Sequence, residues 1–192
     1  MNQLNLKAVI RRKRKRYKPC TPQTIAENEL NREFQEREAN KKWLTDVTEF
    51  QLENGSKIYL SAIYDLGTGK IVSHYLGNSN NNQLVFKTFD KAVKTVTSTE
   101  GIIFHSDRGF QYTSRLFKNK LNHHKMIQSM SRVGKCIDNG PMEGGWGIIK
   151  SEIYRGSKRF KFESIEEAFQ VINKYIKFFN NERITLKMAN LA

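Results

Sequence analysis

The strongest constraint on the fold of this chain is a change in the period of its apolar residues, which falls near residue 80. Before that point, three segments alternate apolar and polar residues: Trp43–Gln51, Lys57–Leu66 and Lys70–Leu76. Only the short turns Glu53–Ser56 and Gly67–Gly69 separate them. Such alternation predicts β-strands, and turns of this length join neighbouring strands antiparallel. The first half of the fold is therefore expected to be a three-stranded antiparallel meander.

After the meander, segments with helical spacing alternate with short apolar runs: Asn81–Val96, Ile102–His105, Ser114–His123, Ile127–Met130 and Met142–Ile153. A capping box that begins at Ser164 predicts a last helix through Phe179. The order predicts an α/β fold with a mixed five-stranded sheet, three antiparallel strands followed by two helix-linked strands, flanked by helices. This order matches the ribonuclease-H-like fold, although other three-layer α/β folds share the pattern.

The chain is strongly basic, with a net charge of +14 and an isoelectric point near 9.8. Such a balance favours a polyanionic partner, most often nucleic acid. Eight cations and no acidic residue lie in residues 1–20, and the densest run is Arg11, Arg12, Lys13, Arg14, Lys15 and Arg16. This run either binds phosphates through counterion release, without reading sequence, or remains a solvated tail.

Composition also excludes several classes of protein. No apolar stretch approaches the length of a membrane span, and residues 1–20 lack the apolar core of a signal peptide. The two cysteines, Cys20 and Cys136, lie far apart, so their spacing predicts neither a disulfide framework nor a zinc knuckle. We therefore expect a protein of a reducing cytoplasm that is not associated with a membrane.

Three carboxylates occupy positions suited to metal-dependent chemistry on phosphodiesters. Asp46 lies in the middle of a strand, where aspartate is disfavoured, and Asp107 follows a buried strand at an end where α/β sheets bind ligands. Glu143 opens a helix after Pro141. In-line displacement concentrates negative charge on the attacking and leaving oxygens, and two divalent ions held by carboxylates stabilise both. Mg²⁺ prefers such oxygen ligands.

Each of these residues also has an ordinary structural interpretation. Asp107 can begin a turn with Gly109, and Glu143 can complement the positive end of a helix. Three cations near the carboxylates are candidate DNA contacts or simply solvated side chains: Lys150, two helical turns after Glu143, and Arg132 and Lys135 in the loop before it. The adjacent His123 and His124 face different sides of a helix, so they are not expected to bind metal.

Four strings carry a resemblance to a known family: "NKKWLTDVTEF", "HSDRGFQYTS", "SMSRVGKCIDNGPMEGGWGIIKSEIY" and "YIKFFNNERITLK". They resemble the integrase-core transposases of bacterial insertion sequences, the second-frame products related to retroviral integrases. The resemblance runs from about Asn31 to Lys187, and 35 residues separate Asp107 from Glu143, as in the Asp-Asp-Glu signature of this family.

The resemblance implies a ribonuclease-H-like catalytic core at residues 41–180, preceded by a basic arm or linker at 1–40 and followed by a truncated tail at 181–192. It implies that Asp46, Asp107 and Glu143 are catalytic and hold two Mg²⁺ or Mn²⁺ ions, with Lys150 as the helix-borne lysine. The activity implied is DNA transposition: cleavage at the ends of the element, followed by attack of the freed 3′-hydroxyl on a phosphodiester. The partners implied are DNA and further copies of the chain, as a homo-oligomer on DNA.

The sequence departs from the family pattern at several points. The upstream helix-turn-helix segment is expected to be missing, and Gly144-Gly145 stands where the family usually has an aromatic residue. Gly67 also stands where a larger residue is usual. These departures support the hypothesis that catalysis is impaired. Two alternatives stay open: a non-catalytic DNA-binding fragment that regulates an intact transposase, and a ribonuclease-H-type nuclease that cuts RNA–DNA hybrids.

Overall fold

The computed structural model describes residues 22–153 and 161–184, so the basic run Arg11–Arg16 lies outside the described residues. The elements follow in the order β1 (Lys42–Gln51), β2 (Lys57–Asp65), β3 (Lys70–Gly77), α1 (Asn82–Ala92), β4 (Ile103–Ser106), α2 (Arg115–His123), β5 (Ile127–Met130), α3 (Gly140–Ile153) and α4 (Ile165–Asn181). Short 3-10 turns occupy Val93–Thr95 and Cys136–Asn139. None of the described helices is long and apolar enough to cross a membrane.

The five strands form one mixed sheet in the order β3-β2-β1-β4-β5. The pairs β1–β2 and β2–β3 are antiparallel, whereas β1–β4 and β4–β5 are parallel. This is the predicted α/β architecture of a meander followed by two helix-linked strands, and it is confirmed. The first predicted helix is shorter than expected: Asn81 caps it by accepting from the backbone N–H of Leu84, and the α-helix ends at Ala92.

Helices cover both faces of the sheet and divide the core into two clusters. On one face, α3 and α4 pack on β1 and β2, with Trp146, Ile172 and Leu60 among the buried residues. On the other face, α1 packs on β2 and β3 and α2 packs on β5, and Phe89 and Phe117 stack edge-to-face in that cluster. The sheet is therefore buried on both sides, so that only its strand ends remain open for a ligand.

Local chemistry explains why α4 forms where the capping box predicted a helix. The Ser164 hydroxyl accepts from the backbone N–H of Glu167 at 3.1 Å, and the Glu167 carboxylate accepts from the backbone N–H of Glu163 at 2.7 Å. The helix then buries one stripe of residues, Ala168, Ile172, Ile176 and Phe179. The capping box at the start of α4 and the helical period of its apolar residues therefore both favour a helix in this segment.

Residues 22–40, which we call the leading segment, run from the edge strand β5, where the Glu27 carbonyl accepts from the backbone N–H of Met130, to the start of β1. Leu30 is fully buried, and its backbone N–H donates to the Ser129 hydroxyl at 3.0 Å. Further along, the Glu38 carbonyl approaches Gly67 so closely that a Cβ there would lie 2.0 Å from the carbonyl oxygen. Gly67 is therefore required by this close approach.

Replacing Gly144 with alanine should stabilise the protein by about 0.5–1 kcal/mol, because glycine is the poorer helix former and an added Cβ meets nothing within 4 Å. Replacing Gly67 with alanine should instead cost about 1–3 kcal/mol, since the new Cβ collides with backbone. Urea denaturation of both variants measures these changes. A neutral Gly67→Ala variant would mean that the leading segment does not pack against this turn.

Candidate active site

The parallel register between β1 and β4 brings two of the predicted carboxylates to the same level of the sheet. Leu44 in β1 pairs with His105 in β4. Asp46 and Asp107 each follow two residues later in the same segment of chain. Adjacent strands lie about 4.8 Å apart, so residues at equal height on them are neighbours. Strand β4 ends at Ser106, whereas β1 continues to Gln51. Beyond Ser106, β1 therefore has no paired neighbour on the β4 side within the described part of the chain, which leaves space for a ligand.

The third carboxylate reaches the same place from a helix. Glu143 lies in the first turn of α3, and it lines, together with Asp46 and Asp107, a cavity of about 530 Å³. Asp46 is partly buried, while Glu143 and Asp107 are exposed at the opening. The Asp107 carboxylate also accepts from the backbone N–H of Gly109 at 2.8 Å, so the turn expected as its structural role is present as well.

The charge on Asp46 is held at a cost. Burial, followed by repulsion from Asp107, raises its pKa to about 6, and the charge on Glu143 adds to the effect. Two donors act in the opposite direction. The backbone N–H of Val47 donates to Oδ1 at 2.7 Å, and the indole N–H of Trp146 donates to Oδ2 at 3.0 Å. Acids at this spot therefore destabilise one another when nothing cationic stands between them.

Asp107 shows the same behaviour, because loss of solvation also raises its pKa. No ion pair within the described ranges includes Asp46, Asp107 or Glu143. Nor do any three His, Cys, Asp or Glu side chains in residues 22–153 and 161–184 form a ready-made metal cage. The carboxylates line one cavity but do not by themselves enclose an ion.

A fourth oxygen atom that could bind a metal ion lies in the wall of the same cavity. Asn139 is buried, its amide nitrogen donates to the Thr45 carbonyl at 3.1 Å, and its amide oxygen has no hydrogen-bond partner in the described part of the chain. A buried carbonyl oxygen without a donor is costly. An oxygen-only donor set with excess negative charge fits a hard divalent cation and the water that it retains.

The loop between β5 and α3 was predicted to be a polar loop, and the structure shows what holds it. The Asp138 side chain is fully buried and accepts from Arg132 (Nε at 2.8 Å and Nη2 at 2.8 Å) and from Arg32 (Nε at 2.6 Å). These guanidinium groups, with Arg132 contributing most, hold the pKa of Asp138 far below its usual range. The leading segment and the loop are thereby joined through one carboxylate.

The predicted DNA contacts have different surroundings. Lys135 is exposed and lines the cavity, whereas Arg132 spends two of its donors on Asp138. Lys150 lies with its ammonium group 5.6 Å from the centre of the Phe50 ring, and burial lowers its pKa. Sequence reasoning missed Arg108, which lines the cavity and donates to the Ser131 carbonyl at 2.8 Å. Its position next to Asp107 was the available signal.

Two buried side chains support the floor of the site. His105 hydrogen-bonds through its two ring nitrogens to the hydroxyls of Ser129 at 2.8 Å and Ser131 at 3.1 Å, and burial lowers its pKa to about 4. It is thus a neutral structural residue at pH 7. The Tyr112 hydroxyl lies 3.2 Å from that of Thr45, directly before Asp46 in β1.

The strand order and the flanking helices define a ribonuclease-H-like fold. Solved structures of retroviral integrase catalytic cores have the same fold. The catalytic core domain of the HTLV-2 integrase, in complex with magnesium, superposes with a TM-score of 0.61 over 79% of this chain and 93% of that one, at 17% identity. A chain of the simian T-cell lymphotropic virus intasome gives a TM-score of 0.63 over 76% of this chain and 50% of that one, at 15% identity.

The sequence places the chain in a particular family. The integrase core domain family matches residues 36–136, and a second integrase core domain family matches residues 143–191. The chain is 40% identical, over all of its length and 66% of the relative's, to the putative transposase InsK for insertion sequence element IS150 of Escherichia coli. It is 38% identical to an uncharacterized transposase-like protein of Haemophilus influenzae, over 88% of this chain and 76% of that one. This chain belongs to the integrase core domain family.

The metal-free protein should lose stability as the pH rises from about 4 to about 6. The pKa of Asp46 is about 6 in the fold against an ordinary value of 3.8, so in this window the folded protein retains a proton that the unfolded chain releases. The loss attributable to this group is at most about 3 kcal/mol. Urea denaturation in chelator, for the parent and Asp46→Asn at each pH, isolates it as the difference between the two profiles.

Asp138→Asn is the control of opposite sign, because the lowered pKa of Asp138 means that its charge stabilises the fold. That contribution is present above the unfolded pKa and is lost only on acidification, so above about pH 5 this variant should be less stable by a constant amount. A pH-independent difference between the parent and Asp46→Asn would contradict the raised pKa.

Proposed function

We propose that this chain is the catalytic core of a DNA transposase, which cleaves strands at the ends of an insertion element and transfers the freed 3′-hydroxyl to a target phosphodiester. The observation that supports this most is the convergence of Asp46, Asp107 and Glu143, from two strands and a helix, on one cavity. Membership of the integrase core domain family supports it independently. The chain spans 66% of the length of its IS150 relative.

Asp46, Asp107 and Glu143 would hold two Mg²⁺ or Mn²⁺ ions, with the Asn139 oxygen as a further donor in the wall. When bound, such ions supply Lewis-acid activation of the attacking oxygen and stabilisation of the leaving oxygen. The carboxylates repel one another without a cation, as the raised pKa of Asp46 indicates. Because magnesium is typically held by one or two carboxylates plus substrate phosphate, DNA would complete a set that the protein leaves open.

Cationic side chains around the cavity would hold the DNA backbone. Lys135 and Arg108 line the opening itself, and Lys150 lies on the helix that carries Glu143. Arg132 would act mainly by holding the loop through Asp138, to which two of its five guanidinium N–H groups donate, and the other N–H groups would be left for phosphate. The run Arg11–Arg16 adds sequence-independent affinity for phosphates. We further propose that the chain works in the bacterial nucleoid as a homo-oligomer on paired DNA ends. The similar solved structures that are described as an intasome chain and as trimeric and dimeric integrase cores support the oligomer.

Asp107→Asn should reduce Mn²⁺-dependent cleavage by about 1,000-fold or more, because it removes a carboxylate that would hold a divalent cation, and that cation would stabilise the negative charge of the transition state. DNA affinity should change by less than about threefold, since phosphate contacts rest on the cationic side chains. The assay incubates the full chain with duplex oligonucleotides that carry the ends of the element encoding it. Asp90→Asn is the matched control: it removes an exposed carboxylate paired with Lys120 at 2.7 Å, far from the cavity, and should cut normally.

The same assay separates the alternatives. Salt-sensitive DNA binding with no cleavage by the parent chain, at any Mn²⁺ concentration, would favour a non-catalytic regulator. Cleavage of an RNA–DNA hybrid but not of duplex ends would favour a ribonuclease-H-type nuclease. Robust cutting by the parent would contradict the hypothesis that Gly144-Gly145 impairs catalysis, whereas weak cutting that Gly144→Ala improves would support it.

A further inference from the structure

The Asp46 carboxylate is fixed by donors on both of its oxygens, and only one of them comes from its own strand. Oδ1 accepts from the backbone N–H of Val47, the next residue in β1. Oδ2 accepts from the indole N–H of Trp146, which is 100 residues away in α3. The backbone donor follows from the strand itself, whereas the indole donor exists only because the helix docks in one position.

Trp146 stands one helical turn after Glu143, so both side chains lie on the same face of α3. Between the buried side chains of Met142 and Trp146, Gly144 and Gly145 contribute no side chain, and an apolar cavity of about 270 Å³ lies beside them. Trp146 itself is 7% exposed and packs in the core cluster between α3 and the sheet. One residue thus both docks the helix of Glu143 and touches Asp46.

We propose that Trp146 is a positioning residue for the divalent cations: its indole N–H orients the Asp46 carboxylate and sets how far α3 carries Glu143 from it. This inference rests on the proposed metal-dependent function. Groups that donate to metal-ligating side chains typically alter metal affinity by about 10–100-fold when they are removed. Trp146 therefore acts through Asp46 rather than on the DNA or the reacting atoms.

The competing explanation is that Trp146 is only a core residue whose N–H happens to find an acceptor. Trp146→Phe separates the two, because phenylalanine keeps an aromatic ring in the core and lacks the N–H donor. A second variant carries 3-benzothienylalanine at position 146, which keeps the bicyclic shape and replaces the N–H with sulfur. If the phenylalanine variant packs poorly, the isostere still removes only the donor.

The chain offers a matched control in its other tryptophan. Trp43 is fully buried in the opposite cluster, and its indole N–H donates to the Asn40 side chain at 3.2 Å, away from the carboxylates. Trp43→Phe therefore removes an equivalent buried donor from the same protein. It should lower stability without altering the affinity for Mn²⁺.

The test measures Mn²⁺ binding to the full chain by electron paramagnetic resonance of the free ion, without DNA. We expect the parent and Trp43→Phe to bind alike, and both variants at position 146 to bind about 10–100-fold more weakly. Cleavage at low Mn²⁺ should fall by the same factor and recover as Mn²⁺ is raised. A purely structural defect would instead make Trp43→Phe depend on Mn²⁺ in the same way, because that variant also loses a buried indole.

Fluorescence gives an independent reading, because the chain contains only two tryptophans. In Trp43→Phe, the single emitter Trp146 should be quenched by paramagnetic Mn²⁺ with the same midpoint as the resonance titration. In Trp146→Phe, the remaining Trp43 should respond little, since it lies three residues from Asp46 on the other face of β1.

Equal Mn²⁺ affinity in the parent and in both variants at position 146 would overturn the positioning role while leaving the proposed function intact. If the parent chain neither binds Mn²⁺, with or without DNA ends, nor cuts DNA, the proposed function is overturned, and the inference with it. Absence of quenching in Trp43→Phe, in a protein that binds Mn²⁺ by resonance, would show that the ion does not sit beside Trp146.

Discussion

The structure depends on the pairing of one central strand, β1, with two neighbours of opposite direction. Its antiparallel pairing with β2 continues the meander, and its parallel pairing with β4 joins the meander to the helical half. Because the register of a parallel pair fixes which residues stand level, the alignment of Leu44 with His105 also places Asp46 beside Asp107. A shift of one residue would turn Asp46 to the opposite face and separate the carboxylates.

That alignment places two carboxylates close together, which destabilises their charged forms. Two acids at the open end of a sheet repel each other, and loss of solvation raises the pKa of both. The surrounding structure holds them in place through long-range contacts: the Asp138 carboxylate joins the leading segment to the loop before α3, and Trp146 joins that helix to Asp46. Rigid support around a destabilised centre is the arrangement that binding of a cation would exploit.

Most elements of the fold followed from local patterns. The strand at Ile127–Met130 has the predicted bounds, and Ser164 caps α4 as its capping box indicated. Asp46 is conspicuous in the sequence because aspartate is unusual inside a strand. Asp107 and Glu143 are conspicuous through their positions after a buried strand and at the start of a helix. The role of Arg132 in holding Asp138, the packing of Leu30 and the donor at Trp146 left no such signal. Each depends on a partner far away in the chain, and no local period encodes the identity of that partner.

By itself, the sequence determined the order of strands and helices, the excess of positive charge and the three acidic residues worth examining, since apolar period, turn residues and motif spacing are properties of short stretches of chain. Only the tertiary structure decided that Asp46 and Asp107 stand level, that Glu143 reaches their cavity, and that Gly67 lies too close to the Glu38 carbonyl for any side chain. These facts arise from strand register and helix docking, which are set by packing the whole core at once and not by any single segment.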